Sequence, residues 1–307
     1  MRHLSSAAPT ALRTLVAGVV DYAGLFPPAA LDMPTAVANF AAYRASDDAW
    51  MLGRFVVPAA RLDEWTAAVA TLSPELALAW NGGRLSALLS GEFAHEASLL
   101  ADFNARAPFG VRIDVAEGRT PSEDAVLAMA AAMPDDVMLY CEVPHRDDPL
   151  SLLQAVQRAQ VRAKIRTGGV TADAFPAPAE IVRFLRRCHA LDVTAKATAG
   201  LHHPLRGDYR LTYDVDAVRG TMYGFLNVFL CAAAIRAGAP DSVATEILLI
   251  TDSSEITSGE LGMTASGFEI SFAVLQSLRA EGLVAFGSCS FLEPVSELRD
   301  FYSASAP

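Results

Sequence analysis

Lysine is nearly absent from this chain: of 24 basic residues 22 are arginine, and the two lysines are Lys164 and Lys196. Arginine serves wherever a fixed positive charge is enough, but it does not lose its proton in a protein, and a nucleophilic amine must. Two amines kept in so arginine-rich a background point to chemistry, against the plainer reading of two lysines snorkelling or paired to carboxylates. Cysteine is also sparse. Cys141, Cys188, Cys231 and Cys289 lie far apart with no C-x-x-C pair, which excludes a zinc ribbon or a disulfide framework and suits a reduced, cytoplasmic setting. Positive charge is outnumbered by 35 acidic residues, for a net charge of −11, so nucleic acid and anionic membrane surfaces are not expected partners. Long apolar runs are missing too. Met222 to Ile235 is the longest, interrupted by Asn227 and flanked by Arg219 and Arg236; it is too short to span a bilayer and reads as a buried helix or a subunit interface in a homo-oligomer. The amino terminus carries Arg2 and Arg13 but only a short apolar run, Leu15 to Val20, with no cleavage site after it, and is taken as part of the fold.

What is present is 52% hydrophobic residues over 307 positions, with a mean hydropathy of +0.28, enough for one large core. Short apolar runs alternate with amphipathic stretches throughout, the pattern of repeated βα units. Strands are expected at Leu15–Tyr22, Trp50–Val57, Leu76–Trp80, Gly110–Val115, Val137–Val143, around Lys164, around Lys196 and at Leu283–Phe286. Eight such units with short loops predict an α/β fold of the (β/α)8, or TIM, barrel type, as one domain over 1–307. Residues 202–282 are far longer than one crossover needs and are expected to elaborate the active-site face or an oligomer contact.

A strand ending near Gly168, a helix opened by Pro178 and a strand ending near Gly200 form one βαβ unit, which places both lysines at the carboxyl edge of neighbouring parallel strands. Barrels hold their active sites there. Two ammonium groups facing one cleft repel, so one is expected to be driven toward the neutral form that attacks carbonyls. By period two, Lys164 and Arg166 share a face, as do Lys196 and Thr198, Arg112 and Asp114, and Tyr140 and Glu142. Asp114, Glu142, Lys164, Arg166 and Lys196 are therefore expected to converge at the mouth; Glu142 could equally be an ion-pair partner that fixes the cations, a reading less favoured for Asp114. Gly168, Gly169, Gly200 and the run Gly287-Ser288-Cys289-Ser290 fall at strand ends, where backbone N–H groups bind anions, with Thr167 beside them. His202 suits proton transfer, His203 and Arg206 suit substrate contacts, and Asp21 either reaches the cleft or anchors its loop. Adjacent histidines on a strand point to opposite faces, so no metal is assigned to them, and no cofactor is called for.

Lys164-Ile-Arg-Thr-Gly168 and Lys196-Ala-Thr-Ala-Gly200, separated by 196 − 164 = 32 positions, resemble the Lys-x-Ser-Thr-Gly and Lys-x-x-Gly-Gly segments of the deoxyribose-phosphate aldolase family of class I aldolases. Gly287-Ser-Cys-Ser-Phe-Leu292 is similar to that family's phosphate loop, Ile113-Asp114-Val115 to its catalytic-acid strand, and Cys141-Glu142-Val143 to a third strand. The resemblance covers about a third of the chain. It implies that Lys164 forms a Schiff base, Lys196 depresses its pKa and Asp114 moves protons. Arg166 departs from the family's small Ser, His202-His203-Pro204 from its Val-Arg-Thr run, and the segment before the last strand has no counterpart. The expected function is a carbon–carbon lyase acting on a small anionic carbonyl compound. Two alternatives stand beside it: a metal-dependent barrel using Asp114, Glu142 and a histidine, and a barrel that binds an anion without catalysis.

Overall fold

The computed structural model describes residues 9–304, so the start of the amino-terminal stretch discussed above lies outside the described residues. Its core is a closed barrel of eight parallel strands: β1 (Val20–Tyr22), β2 (Leu52–Pro58), β3 (Arg84–Leu88), β4 (Arg112–Arg119), β5 (Met138–Glu142), β6 (Arg162–Arg166), β7 (Ala195–Thr198) and a last strand, Leu283–Ser288. Around the barrel the order is β1, the last strand, β7, β6, β5, β4, β3, β2, with helices between consecutive strands. This is the expected (β/α)8 barrel.

Three boundaries differ from expectation, each for a local reason. Leu15 and Val16 end a helix, Thr10–Val16, and only Val20–Tyr22 pairs as strand, because Gly18 takes a left-handed φ of 58° and breaks the run. The expected third strand, Leu76–Trp80, is a helix, Pro74–Ala79. Ser73 caps it by accepting from the Leu76 N–H, and Pro74 occupies its first turn, a start signal that outweighs a short apolar run. Trp80 then packs on Phe40 and Trp65 at centroid distances of 4.6 and 4.9 Å, and the true strand follows the Asn81-Gly-Gly83 turn. Finally β4 continues past Val115 to Arg119, which carries Glu117 into the barrel.

The segment between β7 and the last barrel strand holds a hairpin of β8 (Gly207–Arg210) and β9 (Arg219–Met222), the helices Phe225–Arg236 and Asp241–Leu249, and an antiparallel sheet of β10 (Ile256–Ser258), β11 (Gly262–Ala265) and β12 (Phe268–Ser271). The last barrel strand is thus β13, preceded by the helix Phe272–Glu281. Phe225–Arg236 is buried within its own chain on nearly every side; Phe225 stacks on Phe286 of β13 at 5.2 Å. That accounts for the long apolar run. Among the described residues no helix is long and apolar enough to cross a membrane.

Asn227, the polar interruption of that run, is fully buried and ties the segment together. Its Oδ1 accepts from the Arg206 N–H at 2.8 Å, and its Nδ2 donates to the carbonyls of Ile247 and Ile250 at 3.0 and 2.9 Å. Replacing it with leucine, close in volume, leaves those backbone groups unsatisfied at about 1–3 kcal/mol each where no water reaches them. Asn227→Leu should lower stability by at least about 2 kcal/mol in urea unfolding; an unchanged midpoint would mean the segment is held by apolar packing alone.

Candidate active site

The barrel mouth at the carboxyl ends of the strands opens on a cavity of about 610 Å³ lined by both lysines. Their meeting is dictated by register: Arg119 of β4 pairs with Glu142 of β5, Glu142 with Lys164 of β6, and Lys164 with Lys196 of β7. Side chains of one register row in a parallel barrel point to the same face, so these four form a belt.

Beneath the belt sits Glu117, the residue that joins the two amines. Its Oε2 accepts from Lys164 Nζ at 2.9 Å, and its Oε1 from Lys196 Nζ at 2.6 Å and the Ser86 hydroxyl at 2.5 Å. Lys196 also donates to Asp21 Oδ2 at 2.5 Å, while Asp21 Oδ1 accepts the Arg54 N–H at 2.8 Å. Lys164 has its second partner in Glu142 at 2.8 Å, and Glu142 lies 3.5 Å from Arg166 and 3.6 Å from Arg119. Charges therefore alternate from the depth of the barrel to its rim: Asp21, Lys196, Glu117, Lys164, Glu142, then the two arginines.

Burial alone would raise the Glu117 carboxyl, but the ammonium groups of Lys164 and Lys196 outweigh it and hold the group far below its usual range. Glu142 is lowered in the same sense, chiefly by Lys164 against its burial. Burial would likewise lower Lys196, yet Asp21 and Glu117 outweigh it and keep its amine well above the ordinary value. The expectation that the amines repel one another into a neutral state is thus corrected for Lys196: a carboxylate stands between them, and the deeper lysine is locked as a cation.

Asp114 does not join the belt. It bonds Arg54 through two oxygens at 2.6 and 2.8 Å and Arg84 at 2.7 Å, and it does not line the cavity. A β-bulge is the cause. Leu85 pairs with Ile113 but Ser86 pairs with Val115, so Asp114 is an extra residue in β4 and the alternation shifts by one beyond it. That shift turns Glu117 inward, where strict period two from Arg112 would point it out. The metal alternative that grouped Asp114 with Glu142 loses its geometry for the same reason.

His202 lines the cavity beside Cys289. Its Nδ1 lies 3.1 Å from Glu293, 3.4 Å from the Ser288 hydroxyl and 4.0 Å from Cys289 Sγ. Burial works against the charged ring, but the bonds to Cys289 and Glu293 prevail and push it up to about 9. Tyr213 bonds the same Glu293 at 3.1 Å. Arg166, Gly169, Gly200 and Gly287 also line the cavity, as expected.

The remaining candidates serve the scaffold. Thr167 donates to the Ala199 carbonyl at 2.7 Å and so ties β6 to β7. Gly168 and Gly200 abut: a Cβ on Gly168 would come within 2.4 Å of the Phe175 ring and 3.0 Å of Gly200 Cα, so packing demands these glycines. Ser288 supports His202, Ser290 accepts the Glu293 N–H at 3.2 Å, and Arg206 donates its backbone N–H to Asn227. His203 bonds Glu297 at 2.8 Å and stacks on Tyr209, away from the cavity. His203, Glu293 and Glu297 present ligand atoms within 4.8 Å of one another and could hold a divalent ion at its edge, although in this arrangement the histidine is satisfied by its glutamate.

Glu117, Arg119, Tyr213 and Glu293 are site residues that sequence reasoning missed. No protein-family model matches the chain, and no curated protein matches it. The chemistry of the cavity therefore rests on its own geometry.

Glu117 and Glu142 both have depressed carboxyls in the folded chain, so they contribute stability above their ordinary value of 4.5, and that stability is lost as pH falls through the folded values below it. Glu117→Gln leaves two buried ammonium groups undercompensated, a change that typically costs about 3–5 kcal/mol. The variant should be destabilised to that extent at pH 7 and lose less stability than the parent between about pH 4.5 and 2, measured by urea unfolding across pH. Parallel acid profiles for the two proteins would remove Glu117 from the network.

Proposed function

We propose that the protein is an enzyme that makes or breaks a carbon–carbon bond next to a carbonyl group, holding the substrate as an iminium on Lys164. What carries this reading is the placement of the chain's two amines at the floor of one cavity, on either side of the Glu117 carboxylate. Lys164 is the reacting amine. Lys196 has Asp21 and Glu117 fixing its charge against its burial, whereas Lys164 shares Glu142 with two arginines at the open end. An anionic substrate drawn to Arg119 and Arg166 competes with Glu142 for those guanidinium groups and frees the glutamate to take the Lys164 proton. The neutral amine adds to the carbonyl carbon, and Glu142 returns the proton to the carbinolamine hydroxyl, which leaves as water.

The product of that step is a cation at the site of the former ammonium. Glu117 and Glu142 then face the same charge as before, so iminium formation requires little electrostatic reorganisation. Cleavage of the neighbouring carbon–carbon bond delivers its electron pair to the iminium nitrogen as a neutral enamine, while the hydroxyl on the departing carbon gives its proton to the Glu142 carboxylate and that fragment leaves as an aldehyde or ketone. His202, which lines the same cavity and is held protonated near neutrality by Cys289 and Glu293, protonates the enamine carbon. Hydrolysis of the renewed iminium releases the amine.

The ion pairs made by both amines also favour a second reading, a barrel that binds an anion without covalent chemistry, and trapping separates the two. Incubation with short aldehydes and 2-oxo acids, followed by borohydride and peptide mass analysis, should leave a reduced adduct on Lys164. Lys164→Arg should abolish it. Asp114→Asn should keep at least half, since Asp114 holds arginines and not substrate. A folded protein that traps no carbonyl compound would leave only the anion-binding reading.

A further inference from the structure

The barrel order divides the cavity wall into two sectors. β4, β5, β6 and β7 are consecutive neighbours and supply every charged group of the belt, from Arg119 to Lys196. β3, β2 and β1 are likewise consecutive and supply no charge to the cavity at all: Phe26, Pro27 and Pro28 from the loop after β1, Val56 from β2, and Leu88 and Leu89 at the end of β3. Leu211 and Met222 of the β8–β9 hairpin add further apolar lining. A substrate small enough to sit on the charged half alone would leave the apolar half exposed to water, and the cavity is far larger than such a molecule needs. An apolar cavity of about 150 Å³ holds one benzene, against about 610 Å³ here.

A phosphorylated sugar suits this wall poorly. It carries hydroxyls along its length, and β1 to β3 offer them no hydrogen-bonding side chain except at Ser90 just beyond β3. Of the glycines that could cradle a phosphate, Gly168 and Gly200 are closed against each other and against Phe175, which leaves Gly169 and Gly287 at the cavity.

We propose that the substrate is two-ended: a carboxylate-bearing carbonyl compound whose acid lies on Arg119 and Arg166, and whose other end is an aryl or alkyl group seated on the β1–β3 sector. This rests on the reading of the cavity as the substrate site, and it names the class of compound that fits there. The Pro27–Pro28 segment, which follows the first strand and has no part in the ion-pair belt, then acts as a rigid floor for the hydrocarbon end.

Binding of propanoate, 3-phenylpropanoate and glycerol 3-phosphate to the full chain, measured by titration calorimetry, tests this without iminium formation, because none of the three has a carbonyl to react. Failure of the lysine chemistry and failure of this inference are therefore distinguishable. The phenyl acid should bind at least about tenfold more tightly than propanoate, as expected for burial of a ring. Leu88→Gln and Phe26→Ala, both at half-buried positions and checked for an unchanged fold by circular dichroism, should reduce that ratio below about threefold. Arg119→Gln should weaken both acids and leave the ratio intact. Equal affinity for the two acids, tighter binding of glycerol 3-phosphate, no binding of either acid, or a ratio unmoved in both apolar variants would overturn the inference.

Discussion

A single carboxylate shared by two buried ammonium groups sets the terms for everything at the barrel mouth. Lys164 and Lys196 are direct partners across β6 and β7, so their like charges repel. Glu117 turns that repulsion into two attractions of similar size, one through each oxygen. Asp21 and Glu142 close the two ends of the row. The result is a polar core inside an otherwise apolar barrel, stable only while each member is present, since the loss of one leaves a buried charge without its partner.

This arrangement makes the two lysines unlike each other. Lys196 is buried between Asp21 and Glu117, of which Glu117 is shared with Lys164. Lys164 is separated from solvent by one glutamate, which is itself pulled toward Arg119 and Arg166. An incoming anion can redistribute that second set of bonds but not the first. Lys196 then works as a fixed charge that keeps Glu117 ionised, and Glu117 in turn orients the amine of Lys164. Asp21 is a positioning residue at one further remove, because Arg54 and Lys196 hold its two oxygens in place.

Much of this was legible in the sequence, and the exceptions have specific causes. Counting eight alternating units was enough for the barrel, and the scarcity of lysine singled out the two residues that meet inside it. The strand at Leu76–Trp80 was misplaced because a short apolar run looks alike in a strand and in a helix packed on one side, and only Ser73-Pro74 distinguishes them. Glu117 escaped notice because the bulge at Asp114 reverses the parity of β4, and a bulge leaves no mark in a single sequence. The same reversal explains why Asp114, which the aldolase-like motif placed in the site, instead holds Arg54 and Arg84. Tyr213 and Glu293 reach His202 from segments distant in sequence, and no local spacing announces such a contact.

The division of the cavity wall follows from the way a barrel is closed. Eight strands in sequential order give each stretch of chain one arc of the mouth, so residues before position 90 and residues from 117 to 198 come to face each other across the opening. Most of the charge lies on the second arc, where adjacent strands can neutralise one another row by row, and Asp21 of β1 reaches Lys196 from across β13. With Arg119, Glu117, Glu142, Lys164, Arg166 and Lys196 on four neighbouring strands, the site is ion-paired on one side and open on its apolar side. That open side leaves room for a substrate to approach Lys164 without crossing the ion pairs that hold it.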